Sequence, residues 1–344
     1  MPKHHSTHPQ PKSTKSKAVT KEEVAFAAGV SHITVSRVIN TPEKVAPETR
    51  KKVEHFIAKM GYIPNLLAGG LASKRTRIIA AIVPTIGHSI FAETIRGLSE
   101  QLTLNGYQLL LGQSNYIDKE ETALIEAFIG RRVDGIVLTG TQHEPRARQR
   151  LKTAGIPVIE TWDLSDKPID MMVGFSNYDA GYAVGEHLKQ QGYRYMAFVG
   201  GDDQRGLARF AGLSASLKKS RFKAPLHFST ALGSFLEKGR QAIANILEHH
   251  ASIQVVFFSN DVFAAGALME CQRRGIRVPE DIAICGFADL DIAKEINPPL
   301  TTVKIDSVNI GTTAATMMMA ALNGERIDTP ICDLGFSIVT REST

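Results

Sequence analysis

The chain has 344 residues, 43% hydrophobic and 22% charged, the proportions of a globular protein with two or three folded units rather than a disordered or fibrous chain. No apolar run approaches the ~18 residues that cross a bilayer, and no apolar stretch follows the basic start, so a soluble, cytoplasmic protein with no membrane partner is expected. The formal charge of +5 is uneven: residues 1–77 carry 14 Lys/Arg against 5 Asp/Glu, a net of +9, whereas residues 78–344 carry 26 against 30, a net of −4. A basic head on a mildly acidic body fits a polyanion-binding module joined to something else. The three cysteines, Cys271, Cys285 and Cys332, have no CxxC spacing, which argues against a disulfide framework or a zinc site, and no cofactor is expected.

Residues 1–19 hold Lys, Ser, Pro and His with almost no large apolar residues, the pattern of a disordered basic tail, and His4, His5 and His8 read as solvated rather than as metal ligands. Thr20-Lys21-Glu22-Glu23 is a capping box that opens a helix with Val24, Ala25 and Ala28 on its apolar face, closed by Gly29. Ser31 caps a second helix with Val35, Val38 and Ile39 on one side, and two short helices around a tight glycine turn make a helix-turn-helix. A third helix starts at Pro47, carries Val53, Phe56, Ile57 and Met60 inward, and ends at Gly61. Residues 20–61 are therefore expected to form a small all-α domain whose core also takes in Val30 and Val45.

From Ile78 onward the texture is that of α/β repetition. Short apolar runs (78–83, 107–112, 134–139, 156–160, 172–175, 195–200, 254–259 and 282–287) alternate with amphipathic segments. About 265 residues suit two doubly wound lobes with a ligand cleft at the strand ends, lined by loops that include 84–91, 114–116, 139–143, 200–209, 259–261 and 287–289, with Trp162-Asp163 near the crossing.

Gly29-Val30-Ser31, Thr34-Val35-Ser36-Arg37-Val38-Ile39-Asn40, Gly61-Tyr62-Ile63-Pro64-Asn65, Val133-Asp134-Gly135-Ile136, Ser259-Asn260-Asp261, Val278-Pro279-Glu280-Asp281-Ile282 and Pro299-Leu300-Thr301-Thr302-Val303 together resemble the lactose/galactose-repressor family over residues 20–341. Within it the chain is most similar to gluconate-operon repressors, on Phe91-Ala92-Glu93, Arg96-Gly97, Gly155–Glu160, Glu270-Cys271-Gln272-Arg273 and Asp333-Leu334-Gly335-Phe336. The resemblance implies a helix-turn-helix head, a hinge over 62–77 and a two-lobed, periplasmic-binding-protein-like body over 78–344 that binds effector and dimerises.

In such a head the second helix enters the major groove. Arg37 suits guanine or a phosphate, His32 a base edge and Ile33 a thymine methyl, while Ser31, Thr34 and Ser36 suit phosphates. A homodimer would read a pseudo-palindromic operator in double-stranded DNA. The hinge would contribute Asn65, a close helix contact at Ala68 and a minor-groove wedge at Leu71, although Gly69-Gly70 departs from the usual pattern and weakens a helix there.

For the effector, the resemblance places Arg209 on the ligand. Asn260 and Asp163 would meet hydroxyls, Phe91 and Phe287 would line the site, and Trp162 would be either a sugar-stacking platform or part of the core. Arg205, and Ala288 where several relatives carry an aspartate, tilt the site toward a sugar acid such as gluconate, 6-phosphogluconate or 2-ketogluconate. The alternative within the family is a neutral sugar or a nucleoside or purine co-repressor. Val199-Gly200-Gly201-Asp202-Asp203 lacks the spacing of a cofactor loop, and no GxxxxGK[ST], HExxH or GxSxG occurs, so an enzyme is not expected. A periplasmic-type sugar-binding protein would need a leader and no DNA-binding head.

Overall fold

A computed structural model describes residues 19–63, 75–87, 89–230 and 235–344. The expected tail up to residue 18, His88 and the hinge residues Asn65, Ala68, Gly69, Gly70 and Leu71 lie outside them. The chain divides into two compact units, Met1–Lys74 and Arg75–Thr344.

In the first unit, α1 (Lys21–Ala28) begins with the capping box in place: Glu23 N donates to Thr20 Oγ1 at 3.3 Å and Thr20 N to the Glu23 carboxylate at 2.8 Å. Gly29, at φ +63°, ends it in the left-handed region that a side chain would resist. Ser31 caps α2 (His32–Asn40), and Pro47 opens α3 (Pro47–Met60). Val24, Ala25, Ala28, Val35, Val38 and Val53 form the buried core. Val30, Val45, Phe56 and Ile57, expected inside, are only half-buried at its rim, because three short helices enclose less volume than their apolar residues occupy.

The second unit holds two six-stranded sheets. The first has the order β11-β5-β4-β3-β1-β2 and the second β12-β10-β9-β8-β6-β7. The strands are β1 (Ile78–Val83), β2 (Gln108–Gln113), β3 (Gly135–Thr139), β4 (Val158–Thr161), β5 (Met171–Gly174), β6 (Met196–Gly200), β7 (Leu226–Ser229), β8 (Val255–Phe258), β9 (Ala283–Ala288), β10 (Thr301–Lys304), β11 (Ile331–Asp333) and β12 (Ser337–Val339). Pairing is parallel except between β10 and β12. Four strands were not foreseen. β7, β11 and β12 are short sheet-edge strands, and β10 reads Thr-Thr-Val-Lys, so none forms an apolar run.

The helices are α4 (Ala92–Leu104), α5 (Asp118–Gly130), α6 (Pro145–Ala154), α7 (Asn177–Gln190), α8 (Gln204–Lys219), α9 (Phe235–His249), α10 (Asp261–Arg274), α11 (Asp291–Glu295) and α12 (Ser307–Leu322). α7 and α8 pack at near backbone contact. A methyl on Gly181 would sit 2.0 Å from the Arg209 carbonyl oxygen and one on Gly212 would sit 1.9 Å from that of Tyr178, so only glycine permits this approach. The chain passes between the lobes three times, at 175–176, 305–306 and 334–336, and these passages lie side by side because β5 pairs β11 and β10 pairs β12. No helix among the described residues is long and apolar enough to cross a membrane.

Candidate DNA-reading face and ligand cleft

On α2 the inward residues Val35 and Val38 turn His32, Ile33 and Arg37 outward, and all three are exposed. The Arg37 guanidinium has no hydrogen-bond or ion-pair partner among the described residues. The hydroxyls are more engaged than expected. Ser31 Oγ accepts from Thr34 N at 3.1 Å and lies 3.0 Å from Thr34 Oγ1, and Ser36 Oγ accepts from Asn40 Nδ2 at 3.3 Å. Ser36 Oγ, an acceptor here, keeps its proton to donate outward, whereas the Ser31–Thr34 pair spends one of its two hydroxyl protons between them.

In the body, Arg205 and Arg209 were expected on a strand-end loop. They stand instead on the first turns of α8, because Asp203 caps that helix through the amides of Arg205 and Gly206. Four residues apart, they share one helix face. Arg209 is fixed by Nε donating to Asn177 Oδ1 at 2.9 Å, by Nη1 donating to the Ser259 carbonyl at 2.7 Å, and by its guanidinium lying 3.6 Å from the Phe287 ring centroid. Burial pulls it down to about 10, so it remains a cation at neutral pH while poorly solvated. Arg205 lies over Phe91, 5.4 Å from its ring centroid, with Nε 3.5 Å from Asp203 Oδ1. Its Nη1 is buried with no hydrogen-bond partner among the described residues.

These groups surround an inner cavity of about 30 Å³ lined by Ile90, Phe91, Tyr116, Trp162, Gly201, Asp203, Arg205, Arg209, Phe235, Ser259, Asn260 and Phe263. An outer groove of about 730 Å³ shares Tyr116, Asp203 and Arg205 with it. Burial raises the Tyr116 hydroxyl, with Asp203 adding to the shift and both arginines opposing it. Trp162 holds a left-handed backbone at φ +69° and donates from Nε1 to Thr94 Oγ1 at 3.1 Å. Such a conformation in a bulky residue is strain that surrounding packing must hold.

Phe91, Trp162, Arg205, Arg209 and Asn260 therefore come together, whereas Asp163 and Phe287 stand behind the lining. Asp163 Oδ1 accepts from Asn177 Nδ2 and Leu164 N, both at 3.0 Å, and Phe287 lies under Arg209. Asn260, not Asp261, caps α10 by accepting from Phe263 N, so its amide NH2 is the end left for a ligand. Asp261 is wholly buried, accepting from Thr302 Oγ1 at 2.6 Å and Leu290 N at 2.7 Å. Asp289 turns away to Arg341 at 2.6 Å, after an Ala288 held at φ +110°. The His143 imidazole, at the outer groove, is buried between Glu121 and Glu160. Tyr116, Asp203, Phe235 and Phe263 were not singled out. The capping signal of Asp203 was available, but the other three are recognisable only once the lobes are assembled.

A helix-turn-helix unit joined in sequence to a two-lobed body with polar and cationic groups in its cleft is the make-up of a ligand-responsive transcriptional regulator. The description "Bacterial regulatory proteins, lacI family" matches residues 20–65, and "Periplasmic binding protein-like domain" matches residues 185–344. The HTH-type transcriptional regulator GntR of Pseudomonas aeruginosa is 35% identical over 327 residues, 94% of this chain and 95% of that protein, and GntR of Escherichia coli is 31% identical over 94% and 98%. Among solved structures, a LacI-family transcriptional regulator from Silicibacter pomeroyi superposes with a TM-score of 0.89 at 31% identity, covering 94% of this chain and 99% of that one. The lac repressor dimer bound to operator and the anti-inducer ONPF gives 0.82 at 25% identity, covering 95% and 99%. The chain belongs to the lacI family of bacterial transcriptional regulators.

Proposed function

We propose that the protein is a homodimeric repressor that reads a pseudo-palindromic operator with α2 and whose operator affinity is set by a small sugar acid bound between the lobes. The observation that carries the effector class is Arg205 Nη1, a buried cationic donor with no hydrogen-bond partner among the described residues. It lines a cavity where two guanidiniums face a single carboxylate, Asp203. A ligand carboxylate supplies the missing acceptor, and a hydrogen bond to a charged group contributes about 1.5–3 kcal/mol. The similarity to GntR regulators supports the same class.

The free Arg37 fork on α2 supports direct base reading. Exposed Leu111 and Leu226, on the sheet-edge strands β2 and β7, support a second copy along that side. Effector and operator are linked through residues 62–77, and the coupling is reciprocal, so operator DNA weakens or strengthens effector binding by the same factor.

Calorimetric titration of gluconate, 2-ketogluconate, 6-phosphogluconate and glucose into the wild type and Arg205→Ala tests the effector class. The expected result is binding of at least one acid, no binding of glucose, and a loss of about tenfold or more in the variant. A neutral sugar or a nucleoside binding in place of every acid would favour a second reading, for which the aromatic lining of Phe91, Trp162, Phe235 and Phe263 is the supporting feature.

A further inference from the structure

The two lips of the cleft touch. At the first turn of α8, Gln204 Nε2 donates to Thr141 Oγ1 of the other lobe at 3.2 Å. Thr141 belongs to the segment 140–144 that leaves β3 through Gly140 at φ +95°, and this segment is tied twice to its own lobe. His143 Nδ1 meets Glu121 Oε1 of α5 at 2.6 Å, and Glu144 accepts from Thr122 Oγ1 of α5 at 3.0 Å. His143 Nε2 stands 3.3 Å from Glu160 Oε1 of β4, close enough for charge attraction although not aligned as a hydrogen bond. Arg148 of α6 lies 3.6 Å from the same Glu160 oxygen. The imidazole is wholly buried. Burial opposes its charge, but Glu121 and Glu160 outweigh that effect and push it up to about 9, so it is an imidazolium at neutral pH.

We infer that the Thr141–Gln204 contact is a latch that holds the cleft closed, and that His143, pinned between Glu121 and Glu160, is the positioning residue that keeps Thr141 within reach of Gln204. The inference rests on the cleft being the effector site for its purpose, but the latch itself is a property of the two lips. Gln204 occupies the same helical turn as Arg205, so a ligand that draws the arginine inward and the latch that holds the rim favour the same arrangement of the lobes. One neutral hydrogen bond shifts a closed-to-open ratio by about two- to tenfold.

Trp162, the single tryptophan of the chain, lines the inner cavity, so acrylamide quenching of its fluorescence in the full-length, ligand-free protein reads closure. Gln204→Ala and Thr141→Val are each expected to raise the quenching constant, and the double variant to raise it no further than the stronger single one. Equal quenching in wild type and Gln204→Ala, or fully additive increases in the double variant, would overturn the latch. Wild-type quenching is expected to rise as pH climbs through about 9, where His143 loses its proton. His143→Gln should already be raised and flat across that window. The charged groups facing position 143, Glu121, Glu160, Arg148 and Glu144, are common to both proteins, as are Asp203, Arg205 and Arg209 across the cleft. A pH response that survives in His143→Gln removes His143 from the latch. Gluconate, 2-ketogluconate or 6-phosphogluconate, whichever binds, should protect Trp162 in the wild type. If none of the three does, the sugar-acid reading fails, while the ligand-free variants still decide the latch.

Discussion

Arg37 and Arg209 carry the same guanidinium in opposite settings. Arg37 projects from α2 into solvent with no partner among the described residues, whereas Arg209 is 5% exposed, bonded to Asn177 and Ser259 and laid on Phe287. A residue that reads DNA from the surface meets its partner only on binding, and folding is indifferent to it. A residue that lines a closed cleft must be held by the fold beforehand, so its removal damages the protein as well as the site.

The strongest attempt to break this contrast is Arg209→Ala, which leaves two buried acceptors without a donor at about 1–3 kcal/mol each. Urea unfolding should show a loss of at least about 2 kcal/mol, and a stability unchanged from wild type would mean that Arg209 is held less tightly than its contacts imply. Gly212→Ala comes next, because a methyl 1.9 Å from the Tyr178 carbonyl oxygen forces α7 and α8 apart. Overpacking of this kind costs about 1–3 kcal/mol, and it should also weaken effector binding by shifting Asn177 against Arg209.

Arg37→Ala supplies the other half of the comparison. Fluorescence anisotropy with an operator duplex should show a loss of about 1–3 kcal/mol in affinity, with stability within about 0.5 kcal/mol of wild type. Ser31→Ala removes the α2 cap and should cost the head about 1 kcal/mol, visible as a lower melting temperature.

The smallest effect is a pH slope. Burial raises Asp261 to about 6, above the ~3.9 of an unfolded chain. The folded state then binds the proton more tightly, so the ionised carboxylate penalises folding above about pH 6 and the penalty is relieved as pH falls from about 6 towards 4. Wild-type stability relative to Asp261→Asn should therefore rise over that interval, and a flat difference would contradict it.

The head was legible because its determinants are local. Thr20 and Glu23 cap one helix, Gly29 ends it, and the period of Val35 and Val38 fixes which side of α2 faces out. The strands built from apolar runs were legible for the same reason. The cleft was legible only in outline. Arg205, Arg209, Asn260 and Trp162 could be named, but their neighbours come from distant parts of the chain. Nothing near Phe235 or Tyr116 announces that each will line the same cavity as Arg209, and the capping roles of Asp203 and Asn260 changed which atoms remain for a ligand. Asp163 and Phe287 carry the right chemistry at the right strand ends, yet packing puts them one layer behind. His143 shows the same limit: a histidine on a strand-end loop reads equally as a ligand contact or as a solvated side chain, and only the approach of Glu121 and Glu160 makes it a buried ion.

The three adjacent passages between the lobes at 175–176, 305–306 and 334–336 have a mechanical consequence. One connection would leave a swivel and two would allow twisting, but three in a row leave a single easy rotation, like a door on aligned pins. They also make the body redundant against breakage. A protease that severs one passage leaves the lobes joined by two others, so a nicked chain should keep its cleft and migrate as two fragments only after denaturation.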